Sequence, residues 1–285
     1  MTVTASPPDG RRELLSLVGR TPLARIAADL PGPHPGFWAK LEGLAAGGMK
    51  ARAAVSMLLG ARERGELLPG AYWPDQYNNP DNTAGYASLA AELAVQLDHL
   101  DILVCSVGTG GHSAGLIGPL RRHWPALRLI GVDATGSTIF GQPARPRLMR
   151  GLGSSIHPRN VAYDAFDEVH WVGPAEAVDS CRRLARGAFV SGGWSTGAAA
   201  RVAAWAARVH PGAIVATVFP DGPHRYLGTV YDDDFTTAHG VDPSAAATRP
   251  VEIPHPYAAE AAGWVRCTRV SDPLAGPVAL QEESP

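Results

Sequence analysis

Apolar residues are distributed along this chain in two kinds of run, one typical of buried strands and one typical of helices. Residues 101–107 and 213–219 are almost continuously apolar, as parallel strands buried on both faces usually are. Residues 50–67 and 174–186 carry apolar positions at helical spacing, and Pro174 stands where the first turn of a helix tolerates a proline. This alternation predicts an α/β fold with a mostly parallel sheet flanked by helices.

The same patterns predict further strands and helices, and the regular alternation ends near residue 235. The predicted strands lie at 37–42, 101–107, 127–132, 168–172 and 213–219, and the predicted helices at 50–67, 86–97, 116–124, 174–186 and 197–209. Beyond residue 235 only 257–265 is weakly helical. We therefore divide the chain into a main domain, 1–235, and a C-terminal tail, 236–285, whose role the sequence leaves open. The acidic run 232–234 is interpreted as a solvated turn.

Composition excludes several classes of protein. Of the 285 residues, 45% are hydrophobic and 18% charged, as in soluble globular proteins, and a net charge of −2 leaves no basic surplus for nucleic acid. No apolar run reaches the length of a membrane helix, and the first residues lack the apolar core of a secretory leader. Cys105, Cys181 and Cys267 lie far apart without a C-x-x-C motif, which predicts neither a disulfide framework nor a metal site. We expect a cytoplasmic protein.

Lysine is almost absent from this sequence. Lys40 and Lys50 are the two lysines among 25 basic residues, so amine chemistry depends on one of them or on the N-terminus. Lys50 follows Gly47–Gly48 at the start of a predicted helix, a position that suits a nucleophilic Schiff-base amine. The alternative for Lys50 is an ordinary solvated lysine. Lys40 lies within a predicted strand, where we expect it to pair with an acid such as Glu42.

A glycine-rich turn joins the predicted strand 101–107 to the following helix. Its residues, 108–113, read GTGGHS, and consecutive glycines before a helix allow close approach of an anion to free backbone N–H groups. Ser113 stands where the G-x-G-x-x-G motif needs its third glycine, and no P-loop motif occurs. The turn is therefore interpreted as a cradle for a phosphate monoester, and the alternative is a tight turn without a ligand.

Five motifs in this order resemble the family of O-acetylserine sulfhydrylase (cysteine synthase) and cystathionine β-synthase. They are Gly19–Leu23, Lys40–Glu42 before Gly47, Gly48 and Lys50, the cradle at 108–112, Gly193–Gly197, and Pro220–Leu227. The resemblance covers about residues 12–235 and implies a tryptophan synthase β-subunit-like pyridoxal-phosphate (PLP) fold, fold type II. The segments 136–141 and 225–231 look most like the branch whose synthases make diaminopropionate precursors from O-phosphoserine or O-acetylserine.

The resemblance also implies roles for particular residues. Lys50 would carry the cofactor PLP and later shuttle the α-proton of the substrate, and no metal is expected. The cofactor phosphate would be held by Gly108, Thr109, Gly110, Gly111 and His112. Ser195 would face the pyridine nitrogen, or Thr196 if the register is shifted by one. Gln76 would bind the substrate carboxylate, with Gly151 and Gly153 over the amino-acid pocket. The alternative for Gln76 and the neighbouring asparagines is a polar surface loop.

The sequence departs from the family pattern in three places. Lys50 follows Gly48 with one residue fewer than usual and without the neighbouring Ser and Asp, and His112 replaces a Thr. Between Lys50 and Gln76 the asparagine loop and most of the small domain are missing, which predicts an internal deletion near 70/71. We expect this deletion to open one side of the site and to expose apolar sheet.

Two functional hypotheses follow from these observations. The first is a PLP-dependent enzyme for β-elimination and β-replacement on a serine-derived amino acid such as O-acetylserine or O-phosphoserine. The second is a degenerate, non-catalytic relative that binds at most PLP or another phosphate compound. A nucleotide-binding α/β protein is disfavoured by the missing dinucleotide spacing. The expected partners are a small amino-acid substrate and, as a possible homodimer, a second copy of the chain, with no nucleic acid or membrane.

Overall fold

A computed structural model describes residues 15–67 and 72–275. The predicted junction near 70/71 lies outside the described residues. Eight strands form one sheet, and seven helices pack against it within the described ranges. The strands are β1 (Leu23–Ile26), β2 (Phe37–Leu41), β3 (Ile102–Ser106), β4 (Arg128–Ala134), β5 (Glu168–Val172), β6 (Val215–Phe219), β7 (Val251–Glu252) and β8 (Val265–Cys267).

The sheet is parallel in its centre and mixed at its edges. Its strand order is β1-β2-β6-β3-β4-β5-β8-β7, and every pairing from β2 to β5 is parallel. β1 pairs antiparallel with β2, and β8 pairs antiparallel with β5. The predicted α/β fold with a mostly parallel sheet is confirmed.

Five of the seven helices match predicted ones with shifted ends. The helices are α1 (Lys50–Glu63), α2 (Pro80–Ala84), α3 (Ala87–Gln96), α4 (Gly111–His123), α5 (Pro174–Gly187), α6 (Trp194–Val209) and α7 (Asp233–Ala238). The short helices α2 and α7 were not predicted. α4 and α6 begin earlier than predicted because their first turns contain small residues that carry no apolar periodicity. The prediction of a solvated turn at 232–234 is wrong, since the Asp232 carboxylate accepts from Phe235 N and caps α7.

The central strands are buried on both faces. Leu103 and Cys105 of β3 face a cluster that includes residues of α1, α3 and α4, whereas Ile102 and Val104 face a second cluster with α5 and α6. Every residue of β3, β5 and β6 is buried. The expectation of exposed apolar sheet is therefore wrong for the described residues, because helices cover both of its faces.

The chain beyond residue 235 joins the same sheet. The weak helix predicted at 257–265 is wrong, because this stretch consists of turns that lead into β8. Trp264 is 2% exposed and donates from Nε1 to His170 Nδ1 on β5 at 2.9 Å. The buried Gln142 side chain binds this segment through three contacts, with Pro256 O, Ala259 O and Ala261 N. Residues 251–267 thus fix the loop that follows β4. No helix in the described residues has the length and apolar character needed to cross a bilayer.

Candidate active site

A cavity of about 320 Å³ lies at the carboxyl end of the parallel strands, where α/β sheets usually bind ligands. It is bounded by the start of α1, the residues that follow β3, and two loops at 76–77 and 151–153. Seven of the ten site residues proposed from the sequence line it: Lys50, Gln76, Gly108, Thr109, His112, Gly151 and Gly153. The structure therefore brings together residues that are about 100 positions apart in the chain.

Lys50 is the first residue of α1 and its side chain is exposed. The start of the helix is fixed by the residue before it, because Met49 N donates to Pro220 O at 2.8 Å. Gly48 has a φ of +67° and passes so close to Pro220 O that a Cβ there would lie 2.8 Å from this oxygen. Ala54 and Met57 follow Lys50 on the same helix face and also line the cavity.

Lys40, the other lysine, is fully buried in β2. Its Nζ donates to Glu92 at 2.7 Å, to Gln96 Oε1 at 2.8 Å and to Thr21 O at 2.7 Å, which uses all three of its donors. Burial lowers the pKa of Lys40, against the opposing effect of the Glu92 carboxylate. The expected partner Glu42 is wrong, because Glu42 binds Arg52 instead. Lys50 is consequently the lysine whose amine is free to react.

An ion-pair network ties α1 to β2 and α3 near this lysine. Arg52 donates from Nε to Glu42 Oε2 at 2.7 Å and from Nη2 to Glu42 Oε1 at 2.9 Å, a bidentate pair. Arg52 also contacts Glu92, which in turn binds Lys40. Burial opposes the ionisation of Glu92, but hydrogen bonds from Arg52 and Lys40 lower its pKa to about 2. The network fixes the direction in which α1 leaves the cavity.

The cradle at 108–113 combines one open glycine with two tightly packed ones. Gly110 has a φ of +80°, and a Cβ there would lie 2.6 Å from Val161 Cγ2, while a Cβ at Gly111 would collide with the Asn82 amide. Gly108 lines the cavity, and a Cβ there would meet only Gly151 and Leu152 at 3.5 Å or more. Gly111 N donates to Thr109 Oγ1 at 3.4 Å. The next N–H groups of the first turn of α4, at 112 and 113, have no partner within the helix and are available to an anion.

His112 is the buried polar side chain of this cradle. It is 5% exposed, its ring meets Tyr86 edge to face at 6.0 Å, and its Nε2 has no hydrogen-bond partner. Burial lowers the pKa of His112 to about 4, so the ring is neutral at pH 7. The Ser113 hydroxyl donates to Gly110 O at 2.9 Å, and Ser113 lies outside the cavity lining.

Replacing His112 by Thr is expected to make the free energy of unfolding less dependent on pH below pH 6.5. The unfolded chain binds a proton on this ring near pH 6.5 and the folded chain at about 4, so stability falls as the pH drops between these values. The wild type should lose about 3 kcal/mol more than the variant over this range. Urea unfolding of both proteins without cofactor, between pH 4.5 and 7.5, measures this difference. Parallel profiles would contradict the buried neutral histidine.

Two asparagines hold the loop that carries Gln76, here named the Gln76 segment (residues 73–79). Gln76 O accepts from Asn82 Nδ2 at 2.5 Å and from Asn160 Nδ2 at 3.1 Å. Asn160 also donates to Asn79 O at 3.1 Å. The alternative, a polar loop that caps the next helix, is met at Asn79, whose Oδ1 accepts from Asp81 N at 2.9 Å and caps α2. The segment also lines the cavity, so the role of Gln76 towards a ligand stays a prediction.

The loop at 151–153 forms the opposite wall. Gly151 and Gly153 have φ values of +88° and +76°, and Gly153 N donates to Val107 O at 2.8 Å, which joins the loop to the end of β3. The Ser137 hydroxyl donates to Ser154 O and accepts from Ser154 N, which fixes the end of this loop. Glycine is required at 153, where a Cβ would lie 3.0 Å from Ala134 Cβ.

Ser195 lies in the first turn of α6 and is 1% exposed. A Cβ at Gly151 would lie 3.3 Å from Ser195 Oγ, so the missing side chain of Gly151 leaves room over this hydroxyl. Thr196 is fully buried and its Oγ1 has no partner. Neither of the two belongs to the lining of the cavity itself. Their role towards a ligand stays a prediction.

Sequence reasoning missed several residues of the cavity. Asn82, Tyr86 and Ser106 line it, and Asn82 and Asn160 position its walls. A single asparagine gives no periodic or spacing signal, so only the fold identifies these residues. In the described residues no group of His, Cys, Asp and Glu has the arrangement of a metal site.

An exposed lysine and a glycine-rich helix N-terminus thus share one cavity at the carboxyl end of a parallel sheet. The family model described as pyridoxal-phosphate dependent enzyme matches residues 61–221, which is more than half of the chain. The chain belongs to this family.

Curated relatives place the chain near the cysteine synthases. It is 40% identical over 171 residues to an N-(2-amino-2-carboxyethyl)-L-glutamate synthase of Cupriavidus metallidurans, covering 57% of this chain and 50% of the relative. It is 37% identical over 194 residues to a putative cysteine synthase of Sinorhizobium fredii, covering 66% of this chain and 57% of the relative. The resemblance to the cysteine synthase family is confirmed. The chain spans about half the length of these curated relatives.

Solved structures confirm the fold. The O-acetylserine dependent cystathionine β-synthase of Helicobacter pylori superposes with a TM-score of 0.71 at 24% identity, covering 80% of this chain and 98% of that one. The O-acetylserine sulfhydrylase isoform 3 of Entamoeba histolytica gives a TM-score of 0.72 at 19% identity, covering 81% of this chain and 94% of that one. Fold type II, expected from the sequence, is therefore observed.

Proposed function

We propose that this protein uses pyridoxal phosphate to eliminate or replace the β-substituent of a serine-derived amino acid, such as O-acetylserine or O-phosphoserine. One observation carries the proposal. The exposed lysine, Lys50, shares a cavity with the predicted phosphate cradle, whereas Lys40 is fully buried and its three N–H donors are all engaged. The names of the relatives, among them cysteine synthase, support the class of substrate.

The residues of the cavity fit the cofactor. His112 Nε2 and Asn82 Oδ1 are buried polar atoms without partners, and a bound polar ligand would relieve such a cost. Gly108 leaves open space above the N-terminus of α4, and Thr109 adds a hydroxyl at the same edge. The Thr109 hydroxyl, the neutral His112 ring with a proton on Nε2, and the first N–H groups of α4 are neutral donors, which is the chemistry that a phosphate monoester needs. Asn82 Oδ1 only accepts, so it would pair with a donor of the ligand.

When bound, pyridoxal phosphate supplies the electron sink that makes the α-proton of an amino acid acidic. The chain supplies positioning and proton transfer. Lys50 Nζ is the base that takes the α-proton and returns it, because it is the free amine at the cavity. The Gln76 amide donates to the substrate carboxylate, and Ser195 Oγ offers a neutral partner to the pyridine nitrogen. Thr109, His112 and the first N–H groups of α4 hold the phosphate.

Borohydride reduction of the protein mixed with pyridoxal phosphate tests the assignment of Lys50. We expect a visible absorption band that disappears on reduction, with the cofactor mass recovered on the peptide that contains Lys50. The Lys50→Ala variant should lose both signals, and Lys50→Arg is a matched variant that keeps the charge. Because the sequence has two lysines, peptide mapping separates Lys50 from Lys40 and from the N-terminus. Label on Lys40, or a band in Lys50→Ala, would overturn the proposal.

The second candidate is a non-catalytic relative that binds PLP or another phosphate compound. It is favoured by the short connection between α1 and α2, whose described residues contain no strand or helix that could form a small closing domain. Addition of O-acetylserine or O-phosphoserine to the cofactor-loaded protein separates the candidates. A spectral change with release of acetate or phosphate supports the enzyme, whereas a band that ignores both amino acids supports the binding protein.

A further inference from the structure

We propose that Asn82 is a positioning residue that couples the Gln76 segment to the phosphate cradle, so that occupancy of one stabilises the other. This inference rests on the proposed function, because it takes the cradle as the phosphate site and Gln76 as the carboxylate site. Asn82 is absent from the motifs that the sequence offered.

One amide nitrogen bridges the two walls of the cavity. Asn82 is 2% exposed, and its Nδ2 donates to Gln76 O at 2.5 Å and to Thr109 Oγ1 at 3.1 Å. Since Gln76 O can only accept, the amide orientation is fixed with nitrogen towards it. The two walls therefore share a buried polar atom, and displacement of either wall breaks a hydrogen bond of this buried amide nitrogen.

The same contact orients the hydroxyl of the cradle. Thr109 Oγ1 accepts from Asn82 Nδ2 and, at 3.4 Å, from Gly111 N. Because both lone pairs of Thr109 Oγ1 accept from these donors, the hydroxyl proton is free to point into the cavity and to donate to an anion. Asn82 thereby makes Thr109 a donor for the phosphate oxygen.

The position of Asn82 depends on the cradle glycine below it. A Cβ at Gly111 would collide with the Asn82 amide, so the side chain lies directly on the first turn of α4. An anion bound by the N–H groups of this turn would shift the turn, and Asn82 would shift with it because its amide packs against Gly111. This contact gives the Gln76 segment a second connection to the cradle.

Asn160 provides the matched control. It donates to the same carbonyl, Gln76 O, at 3.1 Å and to Asn79 O at 3.1 Å, and none of its side-chain hydrogen bonds reaches the cradle. Removal of Asn160 should loosen the Gln76 segment, and removal of Asn82 should in addition disconnect it from Thr109.

Backbone hydrogen exchange of residues 76–82, with and without inorganic phosphate, measures the coupling and needs neither cofactor nor activity. In the wild type we expect saturating phosphate to slow this exchange by about fivefold or more, the lower end of usual coupling strengths. Asn160→Ala should exchange faster but keep the phosphate effect. Asn82→Ala should lose it. Thr109→Val, which keeps the contact of Asn82 with Gln76, should lose it as well at a phosphate concentration that saturates this variant, since Thr109 also contacts the anion, and it replaces Asn82→Ala if that variant does not fold.

Equal phosphate effects in Asn82→Ala and the wild type, equal losses in both asparagine variants, or no effect in the wild type would overturn the coupling. The experiment is repeated in Lys50→Ala, where the coupling should persist. Failure of the proposed function appears separately, as absence of borohydride label on Lys50. If phosphate slows the exchange but Lys50 takes no borohydride label, the role of Asn82 stands and the proposed reaction is overturned.

Discussion

Replacing Arg52 by Ala is expected to lower the free energy of unfolding by about 3 to 5 kcal/mol, because it leaves a buried carboxylate without its counter-charge. Glu42 is fully buried and receives both donors of the Arg52 fork. Its further contact is a hydrogen bond from Thr21 Oγ1 at 2.5 Å, which cannot neutralise the charge. Glu92 would lose the same guanidinium but keep Lys40. The loss therefore falls mainly on Glu42.

Arg64 is the control for this prediction. It lies just beyond α1 and pairs with Glu66 and Asp81, but its side chain is 46% exposed and water solvates these charges when the pair is removed. Urea unfolding at pH 7 should therefore separate Arg52→Ala from both the wild type and Arg64→Ala. Arg52→Lys should fall in between, because an ammonium keeps the charge and loses the bidentate geometry. Equal midpoints for all four proteins would contradict the network as a determinant of stability.

Replacing Trp264 by Ala is expected to cost about 3 to 5 kcal/mol, the usual effect of removing a large aromatic side chain from a core. The indole is 2% exposed and packs edge to face with Trp205 at 6.0 Å between ring centroids. Arg201 lies over it at 5.8 Å. Loss of the indole also leaves His170 Nδ1 without its donor, inside the sheet. Because Trp264 belongs to residues 236–285, the size of the effect also tests whether this part of the chain is a separate tail.

Trp73 is the matched control, since it is 84% exposed and its replacement by Ala removes few contacts. Trp264→Phe should give an intermediate loss, because it keeps a ring but removes the N–H donor to His170. Thermal unfolding followed by near-ultraviolet circular dichroism reports all three variants. A midpoint for Trp264→Ala close to that of Trp73→Ala would show that residues 251–267 contribute little to the fold.

The central strands could be predicted from the sequence because burial on both faces leaves continuous apolar runs, as in 101–107 and 213–219. The edge strands could not. β1 carries Arg25, β7 has two residues and β8 has three, so none shows a pattern of useful length. β8 is held by long-range contacts with β5: Arg266 donates to Glu168, and Trp264, the residue before β8, donates to His170.

The site was predicted where its chemistry depends on short motifs and missed where it depends on long-range contacts. Lys50 and the cradle at 108–113 have local signals, namely a rare residue and a run of glycines. Asn82 acquires its position from Gln76 and Thr109, and Lys40 from Glu92, and neither pairing leaves a trace in spacing. Tertiary packing decides these partners.

Because lysine is scarce, cleavage at the two lysines can report on local and global unfolding of this chain. A lysine-specific endoprotease has two possible cleavage sites, after Lys40 in the interior of the sheet and after Lys50 at the first residue of a helix. Cleavage after Lys50 requires only that the first turn of α1 opens, whereas cleavage after Lys40 requires that β2 leaves both of its neighbours. Two fragment patterns on one gel would therefore record fraying of the helix and opening of the whole sheet as separate rates, without a label or an engineered site.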